Sequence, residues 1–414
     1  METRVERVKR DIEIISSFNA TPGRGYTRFS YSPEDRMARE YLLEQFYGLG
    51  LQVKVDGVGN IRARWQGKDP EKPSIMIGSH LDTVLHGGKF DGVLGVVAAL
   101  EVVRVLNEQQ VRLEVPVEII VFAEEEGSNF GSVCAGSKAL TGRYSIQDLK
   151  RIKNPEGLSM YQAAEKFGLK PERLSRELLR PDEVQAMLEL HIEQGGVLDS
   201  LKIPIGIVEA IAGSKWLRVE IEGIPNHAGA TPMGMRKDPM TAAAQIIAEI
   251  DKIVREKAFA TTVGTVGKFD CQPNIPNCIP EKVIFIVDLR DVNPLGIAIA
   301  EREITTRIKE ITAAHEVRAS IEVVGESDAI RLSDRIAGVI EDVAKEKGIN
   351  YIRMNSGAVH DSSLLAGVTE VGMIFVPSID GRSHVPEEAT RYEDIQVGCD
   401  LLLATTLRLA GEQS

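Results

Sequence analysis

The sequence predicts an α/β fold with an open, mostly parallel sheet and a smaller α+β domain inserted into the chain. Short apolar strands alternate with helical segments on either side of a central region, and this alternation is typical of parallel sheets. Within residues 211–325 the strands alternate in polarity along their length, as half-buried strands do. With 414 residues the chain is also too long for one ordinary core, so two domains are expected.

Caps, glycines and apolar runs place the elements of the larger domain. Ser32 and Pro33 mark the start of a helix that runs to the glycines at 48 and 50. Apolar residues at helical spacing predict another helix directly after Asp91. Strands are expected at Gln52–Val55, Asn60–Trp65, Ser74–Ile77, Val115–Ala123, Val184–Leu190 and Gly372–Val376.

The inserted domain has helices and strands of its own. Asp238 and Pro239 begin a helix with one apolar face. A further helix follows the last of its strands, which are expected at Trp216–Gly223, Thr261–Phe269 and Lys282–Asp288. We therefore expect one domain from residues 1–210 and 326–414, and a smaller one from residues 211–325.

Charge and composition exclude several classes of function. The formal net charge is −12 and the sequence has no basic stripe, so no nucleic acid partner is expected. No apolar run approaches the ~20 residues that span a bilayer, so no membrane partner is expected either. The 4 cysteines show no paired metal spacing, which favours reduced thiols in a cytoplasmic protein.

Several polar side chains follow directly on predicted strands, at the edge where open α/β sheets place their sites. Glu124, Glu125 and Glu126 follow one apolar strand. Adjacent carboxylates repel one another, and partial burial would raise their pKa values unless a cation lies nearby. The triplet alone fits a solvated acidic turn equally well, so it indicates a metal site only in combination with other ligands.

Three histidines supply that combination. His80, His191 and His384 each follow a predicted strand, and with acidic residues they form a ligand set suited to zinc, manganese or cobalt. Asp91 follows a Gly-Gly turn, from which it could bridge two ions or simply cap the next helix. Asp82 lies two residues after His80, where its carboxylate could accept the second ring N–H of that histidine.

Nine motifs follow one another in order between about residues 60 and 390. They are HLD at 80–82, GGKFDG at 87–92, AEEEGSNF at 123–130, HIEQG at 191–195, NHAGATPM at 226–233, NCIP at 277–280, DLRD at 288–291, SGAVHDS at 356–362 and SH at 383–384. Together they resemble the motifs of the hydantoinase/carbamoylase family of amidohydrolases, which belongs to a superfamily of metal-dependent aminoacylases and carboxypeptidases. The resemblance implies a di-metal hydrolase domain and a smaller lid domain that also forms a homodimer.

The resemblance implies a role for each residue of the candidate site. Each subunit would bind two divalent ions, of zinc, manganese, cobalt or nickel. The ligands of one ion would be His80, Asp91 and His191, and those of the other would be Asp91, Glu126 and His384. Glu125 would act as the general base, and Asp82 and His227 would be further catalytic residues.

The resemblance also implies substrate contacts, from Gln194, His227, Asn277, Arg290, Gly357 and Ala358. His227 would reach into the partner subunit's site. The sequence alone leaves other readings open, because Arg290 could pair with Asp288 or Asp291 at the surface. Asn277 could be a turn residue, His227 a loop histidine, and Gln194 part of a helix start. Two positions depart from the family pattern, since Val359 replaces a common glycine and His86 a usual asparagine.

The implied reaction is hydrolysis of the ureido C–N bond of an N-carbamoyl-L-amino acid, which gives the L-amino acid, ammonia and carbon dioxide. GATPM at 229–233 looks closest to the carbamoylases, whereas FVPSIDGRSH at 375–384 looks closer to the allantoate enzymes, so hydrolysis of allantoate stays open. β-Ureidopropionase activity is less favoured. Aminoacylase or peptidase chemistry is also less favoured, because His191 stands where those enzymes commonly use an acidic ligand. A metal-binding dimer without turnover is disfavoured because Glu125 and all the expected ligands are present.

Overall fold

The computed structural model describes residues 1–411 of the chain, which divide into two compact units. Unit 1 comprises residues 1–209, 332–356 and the described residues from 360 onward. Unit 2 comprises residues 210–331 and 357–359. Residues 210, 326–331 and 357–359 were expected in the larger domain, but they pack with the smaller one.

The described residues form α-helices, short 3-10 helices and strands. The α-helices are α1 Val5–Ser17, α2 Pro33–Gly48, α3 Val93–Glu108, α4 Ala135–Leu140, α5 Ile146–Arg151, α6 Met160–Phe167, α7 Val197–Leu201, α8 Pro239–Lys257, α9 Pro294–Ala314, α10 Asp334–Glu346, α11 Asp361–Leu365 and α12 Tyr392–Leu409. The 3-10 helices are Pro171–Arg176, Met233–Met235 and Ile379–Gly381. The strands are β1 Gln52–Val55, β2 Ile61–Trp65, β3 Ser74–His80, β4 Val117–Phe122, β5 Val184–Ile192, β6 Ile205–Ile211, β7 Gly213–Glu222, β8 Asn226–His227, β9 Val263–Gln272, β10 Cys278–Ile279, β11 Lys282–Asp291, β12 Arg318–Ser327, β13 Ile330–Arg331, β14 Tyr351–Ser356 and β15 Glu370–Val376. Within residues 1–411, no helix combines the length and the apolar character that crossing a membrane requires.

The sheet of unit 1 has four parallel strands at its centre, in the order β4-β3-β5-β15. Antiparallel strands flank them, with β2 and β1 beyond β4 and with β6 beyond β15. The central strands and α3 are buried over almost their whole length. Apolar residues occupy most of their positions, so neither the strands nor the helix has a polar face. The predicted α/β fold with a mostly parallel central sheet is confirmed.

The carboxyl ends of the four parallel strands lie at one edge of this sheet, because parallel strands run in the same direction. His80 at the end of β3 lies opposite Phe122 at the end of β4. His191 of β5 lies opposite Phe375 of β15. His191 was expected just after its strand, but β5 continues to Ile192, which still pairs with β15. The register therefore gathers the polar residues at one edge of unit 1.

Unit 2 contains an antiparallel four-stranded sheet in the order β12-β7-β11-β9. Alternate residues of β7 and β11 form a core with α8 and α9, so both helices cover one face of the sheet. Strand β11 extends three residues beyond the predicted end, so Arg290 lies within it and pairs with Ser214 and Val263. Ser327 still pairs with β7, and this pairing explains why the chain beyond residue 325 remains in unit 2.

Candidate metal centre

Asp91 lies at the centre of the candidate site, in the loop between β3 and α3, and its side chain is buried. Its Oδ1 is 3.6 Å from Nε2 of His80 and 3.2 Å from Nε2 of His191. Its Oδ2 is 3.3 Å from Nε2 of His384, which in turn is 3.4 Å from Oε2 of Glu126. Two groups of ligand atoms therefore share one carboxylate, and the atoms within each group lie within 4.8 Å of one another.

Hydrogen bonds of the two buried histidines determine which ring nitrogen faces Asp91. Nδ1 of His80 lies 3.0 Å from the carbonyl oxygen of Asp82, and Nδ1 of His191 lies 2.9 Å from that of Ile192. Because a carbonyl oxygen can only accept, each Nδ1 carries a proton and Nε2 is the nitrogen left to bind a metal. The acceptor for His80 is thus the main chain of Asp82 and not its carboxylate as expected, since Oδ1 of Asp82 is 3.8 Å away.

The Asp82 carboxylate instead holds the loop that carries the glutamates. Its Oδ1 accepts the N–H of Glu125 at 3.1 Å, and its Oδ2 accepts the N–H of Glu126 at 3.0 Å. Glu124, with a left-handed φ of 51°, turns the chain just before them. Its buried Oε1 accepts two main-chain N–H groups from residues 129–130. Two buried carboxylates therefore organise the backbone at Glu125 and in the loop that follows it.

Glu125 lies beside the Asp91 cluster. Its Oε2 is 3.9 Å from Nε2 of His80, and its Oε1 accepts the thiol of Cys134 at 3.4 Å. Burial, opposed by His80 and reinforced by Asp82 and Asp91, raises the pKa of the Glu125 carboxyl to about 7. A carboxyl with a pKa near neutrality can take up and release a proton at that pH.

The site holds buried negative charge that a cation would balance. Oε1 of Glu126 and Oε1 of Gln194 are buried and have no hydrogen-bond partner within the described chain. Burial, together with Asp91 and Glu125, raises the pKa of Glu126 well above its ordinary value. Imidazole nitrogens combined with carboxylate oxygens are donors that zinc, manganese and cobalt accept. The residues therefore fit divalent cations.

A third group of candidate ligands consists of Glu189, His191 and His360 and shares His191 with the first. Its carboxylate is already occupied, because Glu189 accepts the hydroxyls of Ser79 at 2.6 Å and Ser362 at 2.5 Å. The ring of His360 contacts the ring of His191 edge-on, with centroids 4.7 Å apart. We interpret this group as support for His191.

Gln194, one of the predicted substrate contacts, lies in the Asp91 cluster. Its Nε2 is 2.7 Å from Oδ2 of Asp91 and 3.4 Å from Nε2 of His384. Its main-chain N–H donates to the Ser378 hydroxyl at 3.0 Å. The side chain therefore reaches the carboxylate that the two ligand groups share.

The other predicted substrate contacts belong to unit 2, and they are His227, Asn277, Arg290, Gly357 and Ala358. His227 lies in β8, which pairs with the short strand that follows Asn277. Its exposed ring accepts the N–H groups of Gly229 and Ala230 at Nδ1, both at 3.1 Å. In the neutral ring the proton is therefore on Nε2, which can donate a hydrogen bond.

Arg290 forms an ion pair with Asp288, one of the two partners that the sequence allowed. Its Nε and Nη2 donate to Asp288 at 3.1 and 3.0 Å, and its Nη1 donates to the carbonyl oxygen of Gly357 at 3.0 Å. Asp291 is buried and instead accepts the hydroxyls of residues 261–262. The fixed fork of Arg290 still has N–H groups for a further carboxylate, because a guanidinium carries about five.

Sequence reasoning did not single out three side chains that contact the ligands, namely His360, Ser383 and Glu388. The Ser383 hydroxyl is 3.0 Å from Oδ2 of Asp91 and 2.9 Å from Oε2 of Glu388. His360 and Ser383 lie within the motifs SGAVHDS and SH, but the family resemblance implies roles only for their neighbours. No sequence motif indicates Glu388, because two of its hydrogen-bond partners, Phe90 and Asp91, are 298 and 297 positions away in the sequence.

The buried charges predict how the stability of the metal-free protein depends on pH. Burial, with Asp82, raises the pKa of Glu124 to about 8, and that of Glu125 is about 7. A folded state with raised pKa values binds more protons than the unfolded chain, so the free energy of unfolding falls as pH rises through them. His360 has the opposite effect on the free energy of unfolding, because burial lowers its pKa below the ordinary histidine value of about 6.5. Its effect is confined to pH values below about 6.5.

We therefore expect the thermal unfolding midpoint of chelator-treated protein to fall as pH rises from about 6.5 to about 8 and to level off above that, where both carboxyls are ionised in the folded and the unfolded state. Adding manganese should remove most of the fall, since an ion that binds only the native state stabilises it. Calorimetry across this range checks both expectations, and Glu125→Gln should show a shallower decline. A midpoint that stays level or rises without metal would contradict the prediction.

Comparison with known proteins places this site in a family. Residues 76–408 match the sequence profile of Peptidase family M20/M25/M40. The chain is 39% identical over 405 residues to the N-carbamoyl-L-amino acid amidohydrolase of Geobacillus stearothermophilus, covering 98% of each chain. It is 36% identical to a ureidoglycolate hydrolase of Oryza sativa subsp. japonica, covering 97% of this chain and 84% of that one. It is 32% identical to the allantoate amidohydrolase of Escherichia coli (strain K12), covering 99% and 98%.

A solved structure agrees with these relatives. An amidase of the hydantoinase/carbamoylase family from Burkholderia multivorans matches with a TM-score of 0.92 at 29% identity, covering 100% of this chain and 99% of that one. The chain therefore belongs to Peptidase family M20/M25/M40 and, within it, to the hydantoinase/carbamoylase family of metal-dependent amidohydrolases.

Proposed function

We propose that the protein hydrolyses the ureido C–N bond of N-carbamoyl-L-amino acids and releases the L-amino acid, ammonia and carbon dioxide. The observation that carries the proposal is Glu125 beside the Asp91 carboxylate that two ligand groups share. The substrate class is supported by 39% identity, over 98% of both chains, to a relative named N-carbamoyl-L-amino acid amidohydrolase.

We propose that the active centre holds two divalent ions, of zinc, manganese, cobalt or nickel. Their ligands would be His80, Asp91 and His191 for one ion, and Asp91, Glu126 and His384 for the other, as the two groups of donor atoms suggest. When bound, such ions supply Lewis acidity, which lowers the pKa of water and polarises a carbonyl.

Glu125 is the residue that moves the proton in this proposal. It takes a proton from the attacking water and later delivers it to the leaving nitrogen of the amino acid, a role that its position beside the Asp91 cluster supports. Asp82 keeps Glu125 in place through the main chain. The other product is carbamate, which then decomposes to ammonia and carbon dioxide.

We propose that residues of unit 2, together with Gln194, bind the substrate. The remaining N–H groups of Arg290 suit two-point contact with the substrate carboxylate, because Asp288 already fixes the plane of the guanidinium. Nε2–H of His227 could stabilise the developing oxyanion, a contribution of about 3 kcal/mol for one such donor. Asn277 and the main chain at residues 357–358 would add further contacts.

We propose that the protein is a homodimer in which His227 completes the partner subunit's site. Strand β12 is an edge of the unit 2 sheet, and it exposes Val323 and Val324 to 46% and 45%. Exposed valines on an unpaired sheet edge support the proposal that another chain covers this edge. All four cysteines are free, which supports the further proposal of a reducing, cytoplasmic location.

Mixing two inactive variants tests the role of His227. We expect Glu125→Gln and His227→Ala each to be nearly inactive, and refolded or co-expressed mixtures to regain about a quarter of wild-type activity. In a mixed dimer, the site with an intact Glu125 would receive the intact His227 of its partner. Half of the dimers would be mixed, each with one working site. If the mixture stays inactive although mixed dimers form, His227 acts within its own subunit.

Ammonia release tests the reaction itself. Chelator-treated protein should release ammonia from N-carbamoyl-L-methionine after manganese, cobalt or zinc is restored, and not before. Allantoate is the second candidate substrate, because the chain is 32% identical to an allantoate amidohydrolase over nearly its whole length. Turnover of allantoate or ureidoglycolate alone would replace the proposal with that reaction. Metal binding without turnover of any of the three substrates would contradict the proposed reaction.

A further inference from the structure

Glu388 is a buried carboxylate that the proposed reaction does not use. It lies between the 3-10 helix Ile379–Gly381 and α12, and it is 5% exposed. Its Oε1 accepts the main-chain N–H groups of Phe90 at 2.9 Å and Asp91 at 3.1 Å, and its Oε2 accepts the Ser383 hydroxyl at 2.9 Å. These contacts compensate the cost of burying a charge.

The contacts of Glu388 join two chain segments that each carry a candidate ligand. Asp91 precedes α3, and Ser383 directly precedes His384. Ser383 also lies 3.0 Å from Oδ2 of Asp91. Because a serine hydroxyl has one proton, it can donate to only one of the two carboxylates at a time. Glu388 and Ser383 therefore form one polar bridge between the Asp91 loop and the His384 segment.

Gly88 allows this bridge to form. A Cβ atom at Gly88 would lie 2.1 Å from Cδ of Glu388, a distance that no side chain could tolerate without movement. Glycine is therefore required for the close approach of the Asp91 loop to the carboxylate. This requirement assigns a purpose to the second glycine of the GGKFDG motif.

His384 depends on such a bridge more than the other histidines do. Its side chain is 48% exposed, whereas those of His80 and His191 are 2% and 1% exposed. Its φ of 60° is left-handed, which costs free energy for a residue other than glycine. Strand pairing and packing thus hold the other two histidines, while His384 is held through its neighbours.

We infer that Glu388 is a positioning residue that sets the spacing of Asp91 and His384, and with it the affinity for the ion that these two residues and Glu126 would bind. The inference rests on the two-ion centre of the proposed function. It predicts an unequal effect, larger for this ion, because the ion bound by His80, Asp91 and His191 shares Asp91 but takes no ligand from the His384 segment.

The test is a calorimetric titration of chelator-treated protein with Mn²⁺. We expect Glu388→Ala to weaken the binding of one ion by about 10- to 100-fold and that of the other by less than about 3-fold. Glu388→Gln keeps an acceptor for the two N–H groups and a polar contact for Ser383, so it should stay within about 5-fold of wild type. His384→Ala removes a ligand of one ion only and so identifies the affected binding step.

The matched control is Glu387→Ala, the same substitution at the adjacent residue, whose side chain is 61% exposed. It should bind both ions as the wild type does. Wild-type affinities in Glu388→Ala, or an equal loss for both ions, would overturn the inference. If Glu388→Ala does not fold, Ser383→Ala decides, and unchanged binding of both ions in that variant would overturn the inference. A wild type that binds a single ion would overturn the two-ion centre itself and the inference with it.

Discussion

Glu125→Gln is expected to lower kcat by about 10³-fold while both ions remain bound, because the amide keeps the shape of the carboxylate but cannot accept a proton. The main-chain N–H that donates to Asp82 is unchanged by the substitution, so the loop should keep its conformation. The Cys134 thiol can still donate to the amide oxygen. The measurement is steady-state turnover of N-carbamoyl-L-methionine, with metal content determined on the same samples.

The control for this variant is Glu387→Gln, the same substitution at a residue whose side chain is 61% exposed. It should retain wild-type turnover. If Glu125→Gln keeps more than about a tenth of the activity, another group moves the proton. If it loses one of the ions, Glu125 is a ligand, and the base must be sought elsewhere in the site.

Asp91→Asn is expected to weaken the binding of both ions by more than about 100-fold, since both ligand groups use this one carboxylate. Asparagine has the same shape, but it is neutral and would direct either an amide oxygen or an amide NH₂ group at the histidines. Turnover should fall with metal occupancy and should recover only partly at high metal concentration. Calorimetric titration and elemental analysis measure the two effects.

Single-ligand variants provide the comparison for Asp91→Asn. His384→Ala should lose one ion, and His191→Ala should lose the other, because each histidine belongs to only one ligand group. If Asp91→Asn still binds one ion tightly, the carboxylate is not shared and the two groups hold their ions independently.

Much of the candidate site could be predicted from the sequence, because parallel strands bring their carboxyl ends to one edge. His80, Glu126 and His191 lie at or just after consecutive strands of the central sheet, so a pattern of strands was enough to predict that they lie close together. Helix starts were equally local, since Ser32 accepts the N–H of Asp35 and Asp238 that of Met240.

Contacts between residues distant in the sequence could not be predicted in this way. Asp82 was expected to accept from His80 through its carboxylate, but that carboxylate is occupied by the N–H groups of Glu125 and Glu126. Arg290 was expected after its strand, but pairing with two neighbouring strands extends β11 past it. In both cases a partner from another part of the chain decided the outcome.

The sequence by itself determined the α/β fold class, the inserted segment and the residue types gathered at the strand ends, since periodicity and caps act over a few residues. Only the tertiary structure decided which atoms face one another. The Nε2 atoms of His80 and His191 face Asp91 because each Nδ1 is bound to a carbonyl oxygen. Glu388 meets Asp91 only because folding brings together residues 297 positions apart, and no local pattern encodes such a contact.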